Sequence, residues 1–398
     1  MNENFYAALK SVSPYRTLLD EQAGTSLVGL FGALERGEGE QAMDQYTALF
    51  EQITAAGWDS LGDWFLERMR YGVGPFAEAA ARGEESEALA RAAAHDIDVF
   101  RRIALLPCKE LKKGIAACLP ESWGEAVHSL PEWQSRAEFD FNSVRQFYRV
   151  NGAGMFARYR AFTWNRSRLL PVEHPDFVPE EELWGYRLQR DKVVANTRRL
   201  IEGKSVNNVL LFGDPGTGKS ATVKALLGMP GFENLRLIEV HKADLGDLGE
   251  LIRMLAHRPQ KFILFIDDLA FDKDDLTYSV LKSVLEGGLE PRPANVAVYA
   301  TSNRRNLVKQ NFSDRNGDEV DNKETIQEKT SLAERFGLRI PYTALNRNQF
   351  LDMVEELAAV KGIECDREVL RTEAVKWEMR HPNRTPRVAL QFLASLQK

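Results

Sequence analysis

The residues best suited to chemistry are Gly213-Asp214-Pro215-Gly216-Thr217-Gly218-Lys219-Ser220, followed by Ala221. The spacing is that of the phosphate loop, G-x-x-x-x-G-K-S/T. Gly213, Gly216 and Gly218 permit backbone angles that a β-carbon would hinder, so successive N–H groups can turn inward around a phosphate chain. Lys219 supplies a point charge for the outer phosphates, and the Ser220 hydroxyl can ligate magnesium. A glycine-rich turn between a strand and a helix is the bland alternative. It leaves the register of Lys219 and Ser220 unexplained.

A second group lies downstream. The run Lys261-Phe262-Ile263-Leu264-Phe265-Ile266 ends in Asp267-Asp268. A buried strand of this kind would deliver Asp267 beside the phosphate loop to hold magnesium, and Asp268 to orient or deprotonate a water. The strand Val296 to Ala300 ends in Thr301-Ser302-Asn303, where a polar side chain can reach an outer phosphate or its water. Thr385 and Pro386 read as the cap and first residue of a helix. Arg387 then lies in the first turn, where its guanidinium favours a phosphate.

The elements that must position these groups follow from hydrophobic spacing. Val209 to Phe212 is an apolar strand running into the loop, and Ala221 to Leu227 suits a helix. Strands are expected at Leu235 to Val240 and Leu338 to Tyr342, with helices at 244–256, 347–361, 366–380 and 386–396. Asn311 to Thr330 reads as a long exposed charged loop. Asp314, Asn316 and Asp318 there do not make a calcium loop, because Gly317 is misplaced and the closing glutamate spacing fails.

Residues 1 to about 170 read as helical. Leu61, Trp64, Phe65 and Met69 form one apolar stripe, and Ile97, Phe100, Ile103 and Ala104 another. His95 and His128 are isolated and carry no catalytic constellation. The stretch Arg158 to Arg168 interleaves arginines with Tyr159, Phe162 and Trp164, which could stack bases along a nucleic acid. Phe156, Tyr159 and Phe162 fall at helical spacing, so a core stripe flanked by arginines is the stronger reading. The expected organisation is a helical domain over 1–175, a nucleotide-binding core over 176–342 and a small helical lid over 343–398.

Together these motifs resemble the AAA+ ATPases over roughly residues 180 to 398. More narrowly, four stretches resemble the DUF815 group of bacterial proteins: Phe-Ile-Leu-Phe-Ile-Asp-Asp-Leu-Ala-Phe (262–271), Leu-Lys-Ser-Val-Leu-Glu-Gly-Gly-Leu-Glu (281–290), Tyr-Ala-Thr-Ser-Asn-Arg-Arg (299–305) and Ser-Leu-Ala-Glu-Arg-Phe-Gly-Leu (331–338). The resemblance implies an α/β P-loop core with a parallel five-stranded sheet between helical layers, followed by a helical lid, with ATP and Mg2+ between core and lid. It implies Walker A at 213–221, with Ser220 and Asp267 on the metal, Asp268 at the Walker B acid and Asn303 as sensor 1. It makes Arg387 sensor 2 and Arg335 an arginine finger reaching a neighbouring subunit of a homo-oligomeric ring. Asp268 departs from the wider pattern, where a glutamate one methylene longer is usual.

Composition narrows the remaining classes. The 398 residues suffice for two or three domains, and 44% are hydrophobic. A net charge of −6 gives no global field toward nucleic acid or an anionic membrane. Cys108, Cys118 and Cys365 are dispersed and lack metal-ligand spacing. The first residues lack the basic-then-apolar pattern of a secretory signal, and no apolar run approaches membrane-spanning length. The expectation is a soluble cytoplasmic ATPase that remodels a protein or nucleoprotein partner. The alternative is a slow or non-hydrolysing switch that docks a partner through its helical N-terminal domain. A P-loop small-molecule kinase fits Asn303, Arg335 and the C-terminal helices less well.

Overall fold

The computed structural model describes residues 4–271, 277–286, 292–303, 307, 332–381 and 383–396. The charged stretch Asn311 to Thr330 lies outside them, as do Arg304, Arg305, Ser331 and residues 287–290 of the motifs quoted above. The chain divides into two compact units, Met1–Arg158 and Tyr159–Lys398.

The first unit is helical. Its stripes face one core: Leu61, Trp64, Phe65 and Met69 are buried, as are Ile97, Phe100, Ile103 and Ala104. Helix ends follow local chemistry. Gly37 and Gly83 take left-handed angles (φ 74° and 73°) that close the helices Gln22–Arg36 and Pro75–Arg82. Ser60 and Ser86 each cap a following helix through a backbone N–H. Asp96 is fully buried and accepts from the N–H groups of Ser13 and Tyr15.

The second unit is built on a sheet of seven strands: β1 (Ala161–Asn165), β2 (Arg168–Pro171), β3 (Val209–Gly213), β4 (Leu235–Val240), β5 (Lys261–Ile266), β6 (Val296–Ser302) and β7 (Leu338–Tyr342). Their order is β2-β1-β4-β5-β6-β3-β7. The five expected parallel strands are present as β4-β5-β6-β3-β7. The count of five is corrected to seven, because β1 pairs parallel with β4 and β2 folds back on β1 as a hairpin. That hairpin occupies the stretch expected to be helical, and the division between units falls at Arg158, earlier than 175. Its turn residues Arg166 and Ser167 adopt left-handed angles (φ 48° and 59°) without a glycine. Asp244 and Asp247 hold the turn, accepting from Arg166 N–H and Ser167 Oγ.

The hairpin also removes the stacking surface. Phe162 and Trp164 are buried in the sheet, and Arg160 donates to the Phe232 carbonyl. The central strands are buried on both faces, which accounts for their continuous apolar runs. Beyond β7, the helices Arg347–Val360, Arg367–Glu378 and Pro386–Leu396 enclose their own core around Phe350, Leu357, Leu370 and Phe392. Among the described residues, no helix is long and apolar enough to cross a membrane.

Candidate functional site

Three strand ends converge where β3, β5 and β6 run out. β3 leads into the glycine loop. Gly213 (φ 134°) passes so close to β7 that a Cβ would lie 2.2 Å from the Tyr342 carbonyl oxygen, and Gly216 and Gly218 turn at φ 78° and 90°. Only glycine tolerates such angles without strain. Thr217 Oγ1 donates to the Asp214 carbonyl at 2.8 Å and tightens the loop.

Lys219 opens the helix Lys219–Ala225 and is buried. Its Nζ donates to the carbonyls of Gly213 (3.0 Å) and Asp214 (2.7 Å) and to Asn303 Oδ1 (2.9 Å). Burial pushes its pKa below the ordinary lysine range, against the pull of Asp214, Asp268 and Asp267. Asn303 Nδ2 in turn donates to Asp268 Oδ1 at 2.7 Å. One amide therefore links the ammonium to the second carboxylate. Beside it, Ser220 Oγ donates to Asp267 Oδ1 at 2.6 Å, and Thr301 Oγ1 donates to the same oxygen.

The β5–β6 register explains this convergence. Ile266 lies opposite Ala300, so the residues after each strand emerge side by side. Leu269 N–H bonds to the Thr301 carbonyl (2.7 Å) and Asp268 N–H to Thr301 Oγ1 (2.9 Å). Asp268 itself sits at φ 48°, a left-handed angle that aims its carboxylate toward Asn303.

The C-terminal helices close the far side. Arg387 N–H approaches the Gly216 carbonyl at 3.4 Å, and a Cβ on Gly216 would meet Thr385 Oγ1 and Arg387 Cβ at 3.2 Å. The resulting cleft holds about 730 Å³ and is lined by Pro215 to Thr222, Asp267, Asp268, Thr301, Asn303 and Arg387. Leu183, Trp184, Tyr186 and Leu390 add apolar surface to the lining.

Most of the residues singled out from the sequence thus meet in one cleft. Asp214 turns its carboxylate the other way, to Ala344 N–H (2.6 Å). Arg335 is not among the cleft residues: it is half-exposed and pairs with Glu286 at 2.9 Å. Sequence reasoning missed Thr301 as a partner of Asp267, and Leu183, Trp184 and Tyr186 as cleft lining. The aromatic pair just ahead of the helix Arg187–Ile201 was the available signal. Among the described residues, no group of three His, Cys, Asp or Glu side chains could hold a metal, and the three cysteines are free.

The profile of a family described as "Protein of unknown function (DUF815)" matches residues 157–398. No curated protein matches the chain. Among solved structures, two single-residue mutants of Thermotoga maritima RuvB are similar at 16% identity and a TM-score of 0.39. The Thermotoga maritima RuvB Holliday junction branch migration motor is similar at 17% identity and a TM-score of 0.37. Each alignment covers 55% of this chain and 64% of the solved chain, just under two thirds of its length.

Proposed function

We propose that this chain, which belongs to the DUF815 family, binds ATP with magnesium in the cleft and hydrolyses it as an AAA+ type ATPase. The observation that carries the reading is the double link across the strand ends, Lys219 to Asn303 to Asp268 and Ser220 to Asp267. The loop amides and Lys219 would hold the phosphates, with Pro215, Thr217 and Ala221 shaping the cradle. Leu183, Trp184 and Tyr186 offer apolar surface to the base.

The donor set fits magnesium. A serine hydroxyl and one carboxylate lie side by side, and that cation takes oxygen ligands while keeping several waters. When bound it supplies charge neutralisation on the phosphates. Thr301 orients the Asp267 carboxylate for this role. Asp268 and Asn303 would position the attacking water, Asp268 accepting its proton. Arg387 would neutralise charge developing on the phosphates.

Arg335 lies outside the cleft and is half-exposed, which supports a role at the site of a neighbouring copy in a homo-oligomer. The C-terminal helices would act as the lid, and the first unit would dock the protein partner that turnover remodels. A second reading, a slow ATP-dependent switch, is favoured by the short reach of Asp268 and its existing bond to Asn303.

The test is calorimetric titration with Mg-ATP together with phosphate release. Lys219→Ala should abolish binding, and Asp268→Asn should keep binding while losing most turnover. Unchanged affinity in Lys219→Ala refutes the site. Absence of multiple turnover in the parent, with binding intact, selects the switch.

A further inference from the structure

We infer that Asp214 is a positioning residue that fastens the hinge of the C-terminal helices to the phosphate loop. β3 and β7 form a parallel ladder. Its last register pair is Gly213 with Tyr342, and Asp214 N–H still donates to the Tyr342 carbonyl at 2.9 Å. In a parallel ladder the next bond runs from Ala344 N–H to the Asp214 carbonyl. Here that carbonyl has turned away to accept from Lys219 Nζ and Thr217 Oγ1. The Asp214 carboxylate takes its place, with Oδ2 accepting from Ala344 N–H at 2.6 Å.

One residue therefore serves both sides. Its backbone oxygen holds the lysine, and its side chain completes the ladder that the backbone has left. Alanine, serine or glycine here would leave Ala344 N–H without that acceptor. Asparagine keeps an oxygen at the same reach.

The hinge is pinned residue by residue. Tyr342 OH bonds with Thr222 Oγ1 (3.1 Å), Thr343 O accepts from Tyr186 OH (2.7 Å) and Leu345 N–H donates to the Arg384 carbonyl (3.0 Å). Ala344 is the hinge position held by a side chain of the phosphate loop. Because Lys219 Nζ bonds to the Asp214 carbonyl, a shift of Lys219 would act on the same residue whose carboxylate holds Ala344.

Amide exchange on the full chain tests the inference, using the parent, Asp214→Asn and Asp214→Ala without nucleotide. Loss of a charge-assisted bond predicts at least about tenfold faster exchange at Ala344 in Asp214→Ala. Asp214→Asn should stay within about threefold of the parent, since its amide oxygen still accepts. Equal exchange in Asp214→Ala and the parent, or equally fast exchange in both variants, overturns the inference.

A second arm adds Mg-ATP and rests on the nucleotide reading above. Protection of 213–221 should then be accompanied by slower exchange over 343–346 in the parent and not in Asp214→Ala. A hinge response of parental size in Asp214→Ala also overturns the inference. Absence of any loop protection in the parent refutes nucleotide binding, and the nucleotide-free arm still decides the role of Asp214.

Discussion

Replacing Gly213 and Gly218 by alanine separates two costs that glycine avoids in the phosphate loop. Both take positive φ, 134° and 90°. At Gly218 nothing lies within 4 Å of the added methyl, so the change meets backbone strain alone. That costs about 1–2 kcal/mol. At Gly213 the methyl would lie 2.2 Å from the Tyr342 carbonyl oxygen, against the 3.0 Å that real Cβ contacts respect. β7 must then retreat by about 0.8 Å in a close-packed sheet. This also stretches the Asp214 N–H bond to the same oxygen. Strain of about 1–3 kcal/mol, with about 1 kcal/mol for each weakened ladder bond, gives about 3–5 kcal/mol for Gly213→Ala. Amide exchange through a urea series, read on peptides from β3 and β7, measures the loss in this unit separately from the helical one. Gly213→Ala should lose at least about 1 kcal/mol more than Gly218→Ala. Equal losses would refute the assignment of the Gly213 cost to Tyr342.

Three further outcomes concern the C-terminal helices and Arg335. Glu378 is buried and accepts from Arg384 Nε (2.5 Å) and Arg347 Nε (3.1 Å), tying the loop ahead of Arg387 to the start of the first C-terminal helix. Glu378→Ala should destabilise these helices by about 2–4 kcal/mol, below the full buried-pair figure because both arginines reach solvent. Burial alone would raise the Glu378 pKa, and the two arginines hold it below its ordinary 4.5. Its contribution is therefore present above the ordinary value and lost as pH falls through the lower folded value. Thermal unfolding of the helices between about pH 6 and pH 3 should show this loss in the parent and not in Glu378→Gln. Finally, mixing inactive Arg335→Ala with inactive Lys219→Ala should restore part of the ATPase activity, since some mixed sites regain both groups. No recovery in verified mixed oligomers would refute a role for Arg335 at the site of a neighbouring copy.

Much of the site was legible because its parts are local. The loop spacing, the apolar run ending in Asp267-Asp268 and the Thr385-Pro386 helix start each lie within a few residues. β4 and β7 were delimited correctly because apolar strands are bounded by turn residues. The β1–β2 hairpin was missed for a physical reason. Phe156, Tyr159 and Phe162 mimic a helical stripe, and the turn uses Arg166-Ser167 where a glycine would have signalled it. Phe162 and Trp164 alternate with polar neighbours, and that weaker period of two was the correct one. Thr301 and the hinge role of Asp214 were invisible because both depend on the register of strands distant in sequence.

The seven-stranded order has a consequence for how the protein is made. β1 emerges from synthesis roughly 75 residues before its neighbour β4, a wait of about 4–15 s at ordinary elongation rates. Through that interval Phe162 and Trp164 have no sheet to enter. β3 waits longer for its outer neighbour, since Val209 pairs with Leu338 roughly 130 residues later. Gly213 and Asp214 find Tyr342 and Ala344 only then. The nucleotide cradle is therefore among the last parts of the nascent chain to assemble, so a ribosome stalled before β7 carries the complete loop motif without its supporting strand.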